Sequence, residues 1–105
     1  MTIKQYVIDI LCVPMTRVGY KFIVEGIELA LDTHEYKVYP KLAEIHQVSA
    51  GYLERAMRMA KNLSLNYMPK DMKNKIFGVK YLTTLEYIAR ATEYYRENYA
   101  DKEEG

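Results

Sequence analysis

The stretch that decides the fold is "YPKLAEIHQVSAGYLERAMRMAKNL", Tyr39 to Leu63. Two amphipathic runs flank the short segment "HQVS" (residues 46–49). Pro40 suits the first turn of a helix, which then runs to about His46. The next three residues, "QVS", read as a tight turn, with Ser49 as the N-cap of a second helix ending near Ser64. On a wheel of about 100° per residue with Leu53 at zero, Ala56, Met57, Ala60 and Ser64 fall within about 60° of it. Gly51, Arg55, Arg58 and Asn62 gather on the opposite side, with Glu54 and Lys61 on one flank and Tyr52 and Met59 on the other. The second helix therefore has an inward stripe of small and flexible residues and an outward polar ridge carrying two guanidinium groups.

A helix-turn-helix asks for more than two helices. The first needs a small residue where the second crosses it, and the turn needs an apolar plug. Ala43 supplies the first and Val48 the second, with Leu42 an inward neighbour and Leu53 and Ala56 on the inner side of the second helix. Two positions depart from the usual register: Gln47 stands where glycine commonly makes the turn, and His46 where an apolar residue is usual. His46 is expected at the edge of the supporting helix, capping its end or near a phosphate. The ridge has chemistry suited to DNA. Arginine offers a planar fork for guanine O6 and N7 in the major groove, worth about 1–3 kcal/mol of discrimination per good pair. The N-terminal turns, Ser49 to Glu54, are the part such units push into the groove. Glu54 can accept from a cytosine amino group or pair with Arg58 one turn on. The plainer reading of Arg55 and Arg58 is a solvated face with that intrahelical pair.

Outward from this unit the whole chain reads as helical. Ile3 to Leu11 forms a first helix, closed by Val13-Pro14 because a residue before proline is pushed out of the α region. Arg17 to Leu31 forms a second, with Tyr20, Ile23, Val24, Ile27 and Leu31 along one face. "DTHEYKV" is a polar connection. Pro69 and Gly78 bracket a short fifth helix, and Leu82 to Tyr99 forms the last. In it Tyr81, Leu85, Ile88, Thr92, Tyr95 and Tyr99 recur at spacings of four and three. Such a stripe is either a seam against a partner chain or, as we expect, the helix's inward face in its own domain. The expected fold is all-α, a compact five- to six-helix domain spanning residues 1–105, with the helix-turn-helix at Tyr39–Ser64 and a frayed tail at 100–105.

Composition sets the outer bounds. The 105 residues, half of them apolar and 28% charged, suit one soluble domain with one modest core. No apolar run approaches the roughly 20 residues that cross a bilayer, and the first residues lack the pattern of a signal peptide. Cys12 is the only cysteine, which rules out an internal disulfide and suggests a small buried apolar residue in a cytoplasmic protein. His34 and His46 show no metal-ligand spacing, no glycine loop cradles phosphate, and nothing gathers a catalytic set, so we expect no enzyme, metal or cofactor. The formal net charge of +1 hides an uneven distribution. Residues 37–75 hold eight basic side chains (Lys37, Lys41, Arg55, Arg58, Lys61, Lys70, Lys73 and Lys75) against three acidic ones (Glu44, Glu54 and Asp71), while both ends are acidic. A positive middle is what one anion-facing surface would show.

"KVYPKLAEIHQVSAGYLERAMRMA" (Lys37–Ala60) resembles the "YP" helix and "VERAIR" recognition helix of the C-terminal DNA-binding effector domains of stage-zero sporulation protein A. "ILCVPMTRVGYKFIVEGIELAL" (Ile10–Leu31) resembles the opening of those domains, and "IFG" (Ile76–Gly78) their "LFG" before the last helix. The likeness covers about Ile3 to Tyr99. It implies a six-helix domain that binds a short box in promoter DNA, as a homodimer or in tandem copies, in the cytoplasm on the nucleoid. It also implies that Glu54, Arg55 and Arg58 read bases. Gly51, Tyr52, Met59 and Asn62 are expected as secondary contacts. Lys41, Ser49, Lys61, Lys70, Lys73 and Lys75 are expected on phosphates. Tyr52 and Met59 stand where the family typically has arginine and histidine, and the segments "DTHEYK" and before Leu82 are shorter. The chain starts at Met1 without the family's receiver domain, so a free-standing paralogue is expected. Neither a membrane nor a small-molecule substrate is expected as partner. The alternative to DNA reading is a protein-interaction module that keeps the fold and pairs with a full-length regulator through Tyr95 and Tyr99.

Overall fold

The computed structural model describes residues 1–78 and 81–100, which form six helices and no strand. Helix α1 (Ile3–Gln5) opens with a capping box between Thr2 and Gln5 and widens into a π-helical turn over Tyr6–Ile10. Helix α2 (Val18–Thr33) is the central strut and packs against the others at several points, above all against α4 (Ala50–Tyr67) and α6 (Thr84–Tyr95). The first helix of the reading unit, α3 (Tyr39–His46), crosses α4, and α5 (Lys70–Phe77) packs on α6. A second π-helical turn, Arg96–Ala100, continues α6. The expected frayed tail falls almost wholly on residues 101–105, which lie outside the described residues.

The boundaries follow local chemistry. Ser49 caps α4, its hydroxyl accepting from the Tyr52 N–H at 3.1 Å. The helix was expected to stop near Ser64 but runs to Tyr67, because the residue driven extended by Pro69 is Met68 (ψ 140°). Gly78, at φ 76° and ψ −162°, ends α5 in a conformation that L side chains rarely adopt. Thr83 and Glu86 form the capping box that starts α6 at Thr84, two residues later than the expected start at Leu82.

The core lies where α2, α4 and α6 meet the N-terminal segment, and includes Tyr6, Leu11, Ile23, Ile27, Leu53, Met57, Tyr87 and Ile88. Its tightest joint is at Gly19. A Cβ there would stand 2.2 Å from the Ala56 carbonyl oxygen and 2.7 Å from the Ala60 Cβ, so α2 and α4 cross almost backbone to backbone. This is the close seat that Ala56 and Ala60 allow. The last helix turns inward as expected at Ile88, Thr92 and Tyr95, but Tyr81 lies outside it and is 82% exposed. Tyr87, which the four-and-three spacing passed over, is fully buried, stacked on Phe77 with ring centroids 4.7 Å apart.

Candidate nucleic-acid interface

The interface is built from the turn outward. Gln47 adopts φ 55° and ψ 45°, the left-handed conformation that glycine usually supplies, and the Val48 N–H returns to the Ala43 carbonyl at 3.1 Å. A side chain in this region costs about 1–2 kcal/mol, so the turn keeps its shape against a local preference. Val48 packs against the core as the plug. His46 neither caps α3 nor faces solvent as a phosphate ligand would. Its Nε2 lies 2.7 Å from Glu25 Oε1 on α2, and its ring meets Phe22 edge-on at 5.0 Å. The polar residue in the apolar slot is thus matched by a carboxylate from the supporting helix.

On α4, Gly51, Tyr52, Arg55, Arg58, Met59 and Asn62 are all exposed, forming the outward ridge. Arg55 has no ion-pair partner among the described residues. Arg58 does: its Nη1 donates to Glu54 Oε1 at 2.9 Å. Glu54 is doubly engaged, because its Oε2 also accepts from Thr84 Oγ1 at 3.2 Å. A carboxylate only accepts, so Thr84 donates to Glu54. The result is a run of three side chains from the start of α6 to Arg58. Burial raises the pKa of Tyr39 nearby. Glu54 therefore orients Arg58 in the free protein. No sequence spacing could have found Thr84, which reaches Glu54 from another element.

Lys61 is a correction. It was expected on a phosphate, but only 1% of it is exposed. Its ammonium donates to the Leu82 carbonyl at 2.7 Å and lies 4.9 Å above the Tyr81 ring, with burial lowering its pKa. It cannot reach DNA from there. The other basic residues are scattered rather than pooled. Lys41 is exposed in the first turns of α3. Lys70 and Lys73 border a cleft with Leu65 and Asn66, at the C-terminal end of α4 and so well along its length from Ser49. An 18-residue helix spans about 27 Å. Lys75 lies toward Tyr99, whose pKa burial raises and the lysine charge opposes. Ser49 is exposed, and with its oxygen accepting from Tyr52 its O–H remains available to donate.

Beside the ridge, Arg17 and Val18 at the start of α2 form one wall of an open cleft of about 250 Å³, with Tyr52, Arg55 and Met59 as the other. No spacing in the chain marks Arg17 as a residue that would face Arg55 across a cleft. The tyrosines of the last helix are occupied internally. Tyr95 is buried and donates to the Met1 carbonyl at 2.7 Å, and Tyr99 packs on Tyr6, Tyr94 and Tyr95. Among the described residues no His, Cys, Asp and Glu cluster could hold a metal, and no helix is long and apolar enough to cross a membrane.

No curated protein matches the chain. The model of the family described as sporulation initiation factor Spo0A C terminal matches residues 4–93, which takes in every helix from α2 to α5, nearly all of α1 and most of α6. That family consists of DNA-binding effector domains of transcription regulators and not of enzymes, and the chain belongs to it.

Proposed function

We propose that the protein is a cytoplasmic, nucleoid-associated regulator that binds double-stranded DNA by sequence, with α4 lying in the major groove. The observation that carries this is the ridge itself: Arg55, with no ion-pair partner among the described residues, and a lightly held Arg58 project from a capped helix whose inner face is locked into the core. An exposed pair at this spacing holds by about 0.3–0.5 kcal/mol, whereas a bidentate contact to guanine discriminates by about 1–3 kcal/mol. A guanine can therefore draw Arg58 away from Glu54. Arg55 and Arg58 are the base readers, and Glu54 sets the starting orientation of Arg58. Gly51, Tyr52, Met59 and Asn62 line the same face, and Lys41, Ser49, Lys70 and Lys73 supply backbone contacts from the two ends. Binding as a homodimer or in tandem is consistent with the family's habit of occupying promoter boxes. The protein-interaction alternative would need residues other than Tyr95, which is buried.

The test is selection from a random duplex pool, then fluorescence anisotropy on the enriched sequence across a salt series. Wild type should enrich a short motif and show the salt slope of several phosphate contacts. The Arg55→Ala/Arg58→Ala variant should bind all sequences alike. Weak binding that is indifferent to both arginines would refute the reading.

A further inference from the structure

We infer that the cleft between the start of α2 and the Tyr52–Met59 flank of α4 is a thymine-selecting subsite, which accepts the C5-methyl groups of the major groove. The inference rests on the groove-reading function proposed above and names the base chemistry for one part of it. Tyr52 and Met59 lie seven residues apart, about two helical turns, with Arg55 between them. They are 49% and 54% exposed, and Val18 across the cleft is 55% exposed. An exposed apolar wall on a helix that enters the major groove needs an apolar counterpart there. Among the groups that B-DNA presents in that groove, the thymine methyl is the apolar one; the rest are hydrogen-bond donors and acceptors.

Charge placement agrees with the same occupant. Arg17 stands at one edge of the cleft and Arg55 at the other, and neither has an ion-pair partner among the described residues. Arg17 at the edge of the apolar floor matches a methyl group that sits beside the phosphates of its own strand, and Arg55 at the other edge is left to a neighbouring guanine. The cleft, at about 250 Å³, is far larger than one methyl. Selection there comes from matching apolar surface rather than from a tight steric fit, so adjacent thymines can share it.

Deoxyuridine tests this directly, because it differs from thymidine by the methyl alone. Each thymine of the selected duplex would be replaced in turn, with affinity read by anisotropy for wild type and for Met59→Ala and Tyr52→Ala, whose exposed positions leave the core intact. At one or two positions wild type should weaken about fourfold, the share of one buried methyl. At those same positions the variants should bind thymine and uracil duplexes equally, while remaining sensitive to changes in guanine. If a motif is enriched but no position responds to uracil, the subsite is refuted and the groove-reading function stands. The subsite also falls if the response survives in both variants, or if Tyr52→Ala and Met59→Ala alter self-association and not base preference. If no motif is enriched at all, the groove-reading function fails, and the subsite with it.

Discussion

The first three turns of α4 and the last two treat their polar residues in opposite ways. From Ala50 to Met59 the helix sends Tyr52, Arg55, Arg58 and Met59 outward and buries only Leu53 and Met57 completely. From Ala60 onward even Lys61 and Ser64 are buried, held by partners on other elements. Ser64 Oγ donates to the Leu11 carbonyl, so the Tyr87 hydroxyl at 2.6 Å must donate to Ser64. Arg58 and Lys61 are three residues apart and both cationic, yet one faces solvent and the other is inside. What separates them is the Leu82 carbonyl, placed by the segment that leads into α6. One half of the helix is anchor and the other is surface.

The joint between the halves is the place to break that division. Gly19→Ala would push a Cβ into the Ala56 backbone, and should cost about 3 kcal/mol in urea unfolding, since overpacking a close-packed contact has few ways to relax. A neutral result would mean that α2 and α4 are not seated as closely as described. In the anchoring half, Ser64→Ala leaves the buried Tyr87 hydroxyl and Leu11 carbonyl without their partner, a loss of about 1–3 kcal/mol. DNA affinity per folded molecule should not change, and a selective loss of binding at full stability would contradict the division.

Alkaline pH sharpens the same contrast. Burial raises the Tyr87 pKa above its unfolded value, because a phenolate there would lose its hydration. Below about pH 10 both states keep that proton; above it the unfolded state loses the proton first, so stability falls as pH rises. Lys61 has the opposite sign. Its pKa is lowered by burial, so its charge is a cost that is relieved as pH rises through the lowered value toward about 10.4, where the unfolded state also deprotonates. Between pH 10 and 11, Tyr87→Phe should therefore lose stability less steeply than wild type, by up to about 1.4 kcal/mol per pH unit. Equal slopes would place Tyr87 in contact with solvent. At the turn, Gln47→Gly should stabilise the domain by about 0.5–1 kcal/mol, because glycine accepts the left-handed conformation at less cost. A thermal melt that moved down would show that the Gln47 side chain contributes more than its backbone costs.

Much of this was legible in the sequence, for reasons that are local. Ser49, Pro40, Pro69 and Gly78 act within a turn of where they stand, so the helix starts and stops could be placed from them. The inward stripe at Leu53, Met57, Ala60 and Ser64 follows from helical periodicity alone. The failures are long-range. Lys61 sits about 80° from Leu53 on a helical wheel, a marginal position that a carbonyl 21 residues later resolves inward. The start of the last helix was placed too early, because Tyr81 was counted into a helix that begins at Thr84. The tie from Glu54 to Thr84, and the placing of Arg17 beside Arg55, depend on tertiary packing that no spacing encodes.

The close crossing at Gly19, with the buried ties at Lys61 and Ser64 beyond it, also bears on how such a domain can diverge. Of the residues on the outward ridge, Gly51, Arg55, Met59 and Asn62 take part in none of the contacts that fix α4 in place, and Tyr52 adds only an edge-on approach to the Phe22 ring at 6.5 Å, so they can be exchanged at little cost to folding. Under the proposed function, base preference in this scaffold is then open to drift or redesign almost independently of thermal stability. Arg58 is the exception, since changing it removes a partner of Glu54, which Thr84 also holds.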